Sequence, residues 1–388
     1  MPPVRLATWL AAGLLLAGCG GGPSSARPSA TPSRTPAGPS AAGRATPAAG
    51  ATRAAGRVPA SYGPPLSAPA LAAGSDPAAL PGPVLIADKL NNRLIVVDPQ
   101  GRLRWQFPRP GDLLPGQTFQ IPDDAFFSPD GREIVATQED DSVITVIDIA
   151  THRIRYRYGT PGQPGSAANS LDNPDDALLL PGGQILTADI KNCRLLLIAP
   201  RAHVPARVYG ETTNACYHHP PAHYGSPNGA FPMPDGRYLV TEINGDWVDS
   251  VSLDGRVFWS AHPPGVSYPS DSNQIGPDRY LTVDYSDPGQ VVIFNSAGQS
   301  LWRYRPAGAQ ALDKPSLALP LPNGDVLLND DANHRVIVLN PATNTVVWQY
   351  GHTGVAGAAA GYLDNPDGVD LTPPYSLLGT HAATMGQP

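Results

Sequence analysis

Three times this chain writes the same phrase: an aspartate, an asparagine three residues on, and an arginine two residues after that, opening an apolar run. The copies are Asp88-Lys89-Leu90-Asn91-Asn92-Arg93, Asp189-Ile190-Lys191-Asn192-Cys193-Arg194 and Asp330-Asp331-Ala332-Asn333-His334-Arg335. Strand-length units recurring at roughly 40 to 50 residues point to a β-propeller, because one such unit cannot bury both of its faces and is stable only between neighbours. Alternating apolar runs bounded by Gly, Pro, Asn and Asp give a four-strand unit whose second strand ends in an acid. Those acids fall at Asp88, Glu139, Asp189, Glu242, Asp284 and Asp330, which makes six blades. The expected fold class is therefore all-β, a six-bladed β-propeller with four-stranded antiparallel blades.

The fourth strands carry an aromatic at Trp105, Trp259 and Trp302, each four residues after a glycine, with Tyr156 and Trp348 in the matching places. Rings at a repeat's own period are expected to fill the widening gap between blades. Inner strands open on Pro122-Asp123-Asp124-Ala125, Pro174-Asp175-Asp176-Ala177 and Pro227-Asn228-Gly229-Ala230, and the phrase returns as Pro366-Asp367-Gly368-Val369 with no blade after it. The first blade, from Pro83 to Phe107, holds only three strands. The C-terminal strand is therefore expected to complete it and close the ring, removing open sheet edges.

The ends read differently. Arg5 precedes an apolar stretch from Leu6 to Leu16 that is too short to span a bilayer, which takes about 20 residues, and fits an export signal. Leu16-Ala17-Gly18-Cys19 resembles a bacterial lipobox, which implies cleavage before Cys19 and lipidation of its thiol. The composition of the following segment, rich in Ala, Pro, Ser and Gly, cannot bury enough apolar surface to offset ordering entropy. The expected organisation is a signal peptide at 1–18, a disordered tether at 19–81, the propeller at 82–373 and a tail at 374–388. All 33 acids lie at or beyond Asp76 whereas 6 of the 26 Lys and Arg precede it, so the folded part carries 20 bases against 33 acids, a net −13. That balance argues against nucleic acid and anionic lipid surfaces. With Cys19 assigned to the lipid, Cys193 and Cys216 remain, and an exported pair in loops of the same face is expected to form a disulfide.

One connection is duplicated nearly in full. Tyr158-Gly159 leads through Gly162 and Gly165 to Leu171-Asp172-Asn173-Pro174-Asp175, and Tyr350-Gly351 leads through Gly354 and Gly357 to Leu363-Asp364-Asn365-Pro366-Asp367. Here, and in Asn333-His334-Arg335, the chain resembles the NHL-repeat family of propellers. The resemblance implies a six-bladed propeller that is either a binding platform or a metal-dependent enzyme: an amidating lyase using metal-bound histidines, or a Ca²⁺-dependent lactonase. The Gly-x-x-x-Trp strands also resemble those of arylsulfotransferases, which would need a histidine facing the channel.

The chemistry expected from the residues sits on one face. Asp123, Asp124, Asp175, Asp176, Asn228, Asp271, Asn273 and Asp367 should converge at the upper mouth of the central channel. Convergent oxygen atoms suit a hard cation such as Ca²⁺ or a polyhydroxylated ligand, although Asp and Asn also start strands simply by capping turns. Crowded carboxylates would repel, so some compensating charge is expected. His218, His219 and His223 lie within six residues and form a second metal candidate of the imidazole type, set against an exposed proline-stiffened loop. No Gly-x-Ser-x-Gly elbow, His-Glu-x-x-His or phosphate loop is present, and no catalytic residue is assigned. The function expected is that of a lipid-anchored, extracytoplasmic, monomeric propeller of the bacterial envelope. It would bind a protein, peptide or carbohydrate on its upper face, touching the membrane only through its anchor.

Overall fold

The computed structural model describes residues 62–212 and 215–379. The export signal, Cys19 and the tether as far as residue 61 lie outside the described residues. Six four-stranded antiparallel sheets succeed one another. Blade one consists of Pro366–Leu371, Val84–Asp88, Arg93–Val97 and Leu103–Phe107, so the C-terminal strand supplies its innermost member. Blade two runs through Ala125–Phe127, Glu133–Gln138, Val143–Asp148 and Arg153–Tyr158; blade three through Pro174–Leu179, Ile185–Asp189, Arg194–Ile198 and Pro205–Tyr209. Blade four is Pro227–Pro232, Tyr238–Glu242, Trp247–Val251 and Val257–Ala261. Blade five is Pro269–Gly276, Arg279–Asp284, Gln290–Phe294 and Ser300–Tyr304, and blade six is Ala318–Pro320, Val326–Asp330, Arg335–Asn340 and Thr345–Gly351.

The middle strands read as unbroken Val, Ile and Leu because both faces of a blade are covered. In Val84–Asp88, Val84 and Ile86 enter one apolar cluster, whereas Leu85 and Ala87 enter another with Phe127, Ile134 and Ala136 of blade two. The fourth-strand aromatics do span the gaps between blades, and their polar ends latch each blade to the next. Trp105 Nε1 donates to Ile149 O at 3.1 Å, Trp302 Nε1 to Asn344 Oδ1 at 3.0 Å and Trp348 Nε1 to Pro99 O at 2.9 Å. Tyr156 Oη donates to Ala202 O, and the Trp259 ring packs 4.6 Å from Tyr280. Blade three has no ring there, and Arg207 makes the equivalent bond to Leu253 O at 2.8 Å.

The repeated acid, Asn and Arg phrase forms a second latch, from the blade to the incoming loop. Asp330 Oδ2 accepts from Asn333 Nδ2 at 3.0 Å and Arg335 Nε at 2.7 Å, while its Oδ1 takes Asp313 N at 2.7 Å. Asp88 and Asp189 make the same set with Asn91, Arg93 and Asp364 N, and with Asn192, Arg194 and Asp172 N. Each asparagine also holds a loop carbonyl, Gly357 O, Gly165 O or Ala311 O. A single turn of 3-10 helix spaces the three side chains, and the residue before the arginine closes it in the left-handed region, with φ of 54° at Asn92, 58° at Cys193 and 54° at His334. Gly351 must be glycine, since its φ is +96° and a Cβ would collide with His334 O.

Two expectations about the elements are corrected. The end of blade two's second strand is Gln138, paired with Val143, and not Glu139, which lies one residue further and turns upward. Residues 62–81, expected within the tether, are seated on the ring. Leu66 N bonds Leu103 O of blade one at 2.7 Å, Ala72 N and Asp76 N bond Gln349 O and Val347 O of blade six, and Ala79 and Leu80 are buried. Its buried apolar residues lie among a majority of small and polar ones, so composition alone concealed the segment. Leu377 and Leu378 of the tail are buried as well.

Candidate functional site

Inner strands begin with two positions that face the axis, and they form two stacked rings. The upper ring, in blade order from one to six, is Asp367, Asp123, Asp175, Asn228, Ser270 and Ser316; the lower comprises Gly368, Asp124, Asp176, Gly229 and Asp271 of blades one to five, while Leu317 of blade six enters the apolar core. The structure therefore brings together every expected mouth residue except Asn273. That side chain lies deeper and donates to Ala318 O at 2.9 Å, a link between blades five and six. Ser270 and Ser316 take the places that the letter-by-letter search for Asp and Asn missed.

The compensating charge is Lys89, the variable residue of the first repeated phrase. Its Nζ reaches Asp367 Oδ2 at 2.7 Å, Glu139 Oε2 at 3.1 Å and Asp123 Oδ1. Burial works against the ammonium, but Asp123, Asp367 and Glu139 outweigh it and hold it well above the ordinary lysine range. Burial likewise opposes the Asp367 carboxylate, and Lys89 holds it below the usual aspartate range. In this half of the mouth, contributed by blades one and two, Lys89 offsets part of the acid charge, and burial with Asp367 and Glu139 still pushes Asp123 well above the ordinary range.

The lower ring is not. Asp124, Asp176 and Asp271 bring one oxygen each within 4.8 Å of one another, as do Asp123, Asp124 and Asp175. Both oxygens of Asp176 and of Asp271, and Oδ1 of Asp124 and Asp175, accept no well-formed hydrogen bond, although the Asn228 amide lies close enough to Asp271 to favour its carboxylate. Burial first, and neighbouring acids second, push Asp175 and Asp176 well above the ordinary range; burial and Asp271 do the same to Asp124, and burial brings Asp271 up to about 7. The two glycines of the ring make this crowding possible. A Cβ on Gly229 would collide with Asp176 Oδ2 and Asp271 Oδ1, and one on Gly368 would lie 2.6 Å from Asp124 Oδ1.

Above the rings is a cavity of about 70 Å³, lined also by Tyr268 and Tyr285, whose tilted rings pack 5.3 Å apart on blade five. Its volume admits an ion with a few waters. A larger ligand would rest on the rim.

Cys193 and Cys216 are disulfide-bonded, with Cα atoms 5.1 Å apart. The bridge fixes the loop carrying the three histidines, but they do not converge. His219 and His223 pair through their backbones, and the His223 ring packs 4.4 Å from Tyr217. His218 turns inward to Glu242 and Asp249. Two acids of blade four, one of them outside any repeated phrase, thus replace the two histidines expected beside it.

These features define the class: a six-bladed, four-stranded β-propeller with an acid-lined upper mouth. A sequence model of the outer membrane protein assembly factor BamB matches residues 228–364. No curated protein matches the sequence. Among solved structures, a protein of unknown function from Bacteroides caccae superimposes with a TM-score of 0.51 at 15% identity, covering 75% of this chain and 98% of that one. A streptogramin B lyase gives 0.43 at 15% identity over 58% of this chain and 67% of that one. The dihydro-heme d1 dehydrogenase NirN, in complex with DHE, gives 0.42 at 12% identity over 71% and 54%. At these identities the likeness is one of fold.

Proposed function

We propose that this chain is an exported, lipid-anchored, NHL-like propeller whose upper mouth holds a Ca²⁺ ion and presents a polar ligand site around it. The carrying observation is the lower ring, where buried carboxylate oxygens of Asp124, Asp176 and Asp271 that accept no well-formed hydrogen bond face one another. An isolated ionised carboxylate is expensive to bury, and three facing ones need either protons or a cation. An all-oxygen donor set selects a hard ion, and Asp175 with cavity water supplies the further ligands that calcium takes. The ion and Lys89 divide the mouth: Lys89 offsets part of the charge of Asp123, Asp367 and Glu139, and calcium offsets part of that of the acids below it. Tyr268, Tyr285, Asn228, Ser270 and Ser316 then form a neutral, hydrogen-bonding and aromatic side suited to a carbohydrate or peptide resting on the rim. The lipobox phrase ending at Cys19 and the disulfide in the upper loops both support an extracytoplasmic setting.

The test is calorimetry and thermal unfolding of the full chain in Ca²⁺ and in chelator. Saturable calcium binding with a raised Tm is expected, and Asp176→Asn should abolish both. A chain whose Tm is the same in calcium and chelator would mean that the lower ring shares protons instead, and the reading fails.

A further inference from the structure

Blade four departs from the repeat at two neighbouring places. Elsewhere the acid that ends the second strand faces a partner of its own: Asp88, Asp189 and Asp330 face Arg93, Arg194 and Arg335, and Asp284 accepts from Gln290 Nε2 at 2.8 Å. Blade two carries the neutral Gln138 there. In blade four Glu242 faces Trp247, which offers no charge. Two residues along the third strand, where Ile95, Thr145, Leu196, Val292 and Ile337 stand in the other blades, blade four has Asp249. The sheet thus buries two carboxylates, both 0% exposed, with the arginine removed.

Glu242 Oε1 and both oxygens of Asp249 accept no well-formed hydrogen bond, although Glu242 and Ser260 lie close enough to the Asp249 carboxyl to act on it. Glu242 Oε2 accepts the Gly225 N–H and lies 3.2 Å from His218 Nδ1, which is 3.7 Å from Asp249 Oδ2. The imidazole is set in place from two sides. It stacks on Trp247 at 4.1 Å with an interplanar angle of 12°, and its loop is tied down by the disulfide two residues earlier. The His218 side chain is 19% exposed and so reaches solvent, unlike the acids.

We propose that His218, Glu242 and Asp249 bind a divalent transition-metal ion of the zinc type, at a site separate from the channel mouth. Charge accounts for the substitution pattern: one buried acid takes one arginine in blades one, three and six, and two buried acids take one divalent ion in blade four. The donor atoms, one neutral imidazole nitrogen and two carboxylate oxygens, all lie within 4.8 Å of one another. Imidazole favours Zn²⁺ over Ca²⁺, and three protein ligands leave an open position for water. Trp247, by stacking on His218 in the arginine's place, acts as the positioning residue.

The experiment is a zinc chloride titration of the full chain, freed of metal and held in excess Ca²⁺ so that the mouth is occupied. One saturable zinc site is expected, weakened at least about tenfold in His218→Ala. It should be lost in Trp247→Arg, which restores the repeat's own cation to Glu242. His219→Ala and His223→Ala should leave it unchanged. Absence of saturable zinc binding in the parent chain, or parental affinity in Trp247→Arg, would overturn the proposal; should that variant not fold, undiminished affinity in His218→Ala does so. Calcium binding at the mouth is read separately, so each site stands or falls alone.

Discussion

Gly229 shows how much a single side chain decides here. It occupies a lower-ring position between Asp176 and Asp271, and its missing Cβ is the space those carboxylates use. Gly229→Ala should lower thermal stability and weaken calcium binding by at least about tenfold, as displaced ligands do; unchanged calorimetric affinity would show that the gap is not used. Lys89 is the opposite case, a charge buried among three acids with 12% of its side chain exposed. Breaking a buried pair by removing one partner costs about 3–5 kcal/mol, so Lys89→Met should lower the unfolding free energy measured in urea by an amount of that order. Part of the loss should return in calcium. The acids of the mouth were legible because a repeat writes them in the same slot of consecutive blades. Lys89 was not, because it fills the free position of its own phrase and meets Asp367, 278 residues away, only in the closed ring.

Elements are joined by two sets of polar latches laid over an apolar ring. The acid and arginine of the hairpin phrase pair across the turn, and what its letters could not convey is that Asp and Asn also grip the loop arriving from the previous blade. Arg335 is 2% exposed and donates to Asp330 Oδ2 through Nε at 2.7 Å, with Nη2 in ion-pair contact with the same oxygen. Arg335→Met should therefore cost about 3 kcal/mol or more, leaving Asp330 buried without its cation. Equilibrium denaturation measures it, and a loss under about 1 kcal/mol, the worth of a surface pair, would contradict the latch. The disulfide closes a loop of sequence separation 23 on the upper face. Cys216→Ser should lower stability by about 2–4 kcal/mol and loosen His218, reducing zinc affinity while leaving calcium affinity intact.

The described residues form a ring stapled at one seam, where the C-terminal strand enters blade one and residues 62–81 lie across blades one and six. Its pH response follows from the mouth. The folded aspartates of the mouth hold protons that the unfolded chain has lost, since Asp271 rises to about 7 and Asp124, Asp175 and Asp176 move the same way, while unfolded aspartates ionise near 4. In chelator, stability should fall as pH rises from about 4 to about 7, with Lys89 remaining charged throughout; calcium should flatten or reverse that slope. Thermal melts across this range check it, and a profile in chelator that rises with pH would contradict the reading.

By itself the sequence determined the blade count, the four-strand unit, the closing strand, the inter-blade aromatics, the disulfide partners and most of the mouth. All of these are repeated or paired features, and repetition turns one local reading into several independent ones. Only the tertiary structure decided which acids Lys89 pairs with, that Gln138 and not Glu139 ends its strand, that residues 62–81 pack, and that His218 meets Glu242 and Asp249. Those outcomes rest on unique residues brought together by ring closure and loop packing, and no local pattern encodes a contact between segments that share no period.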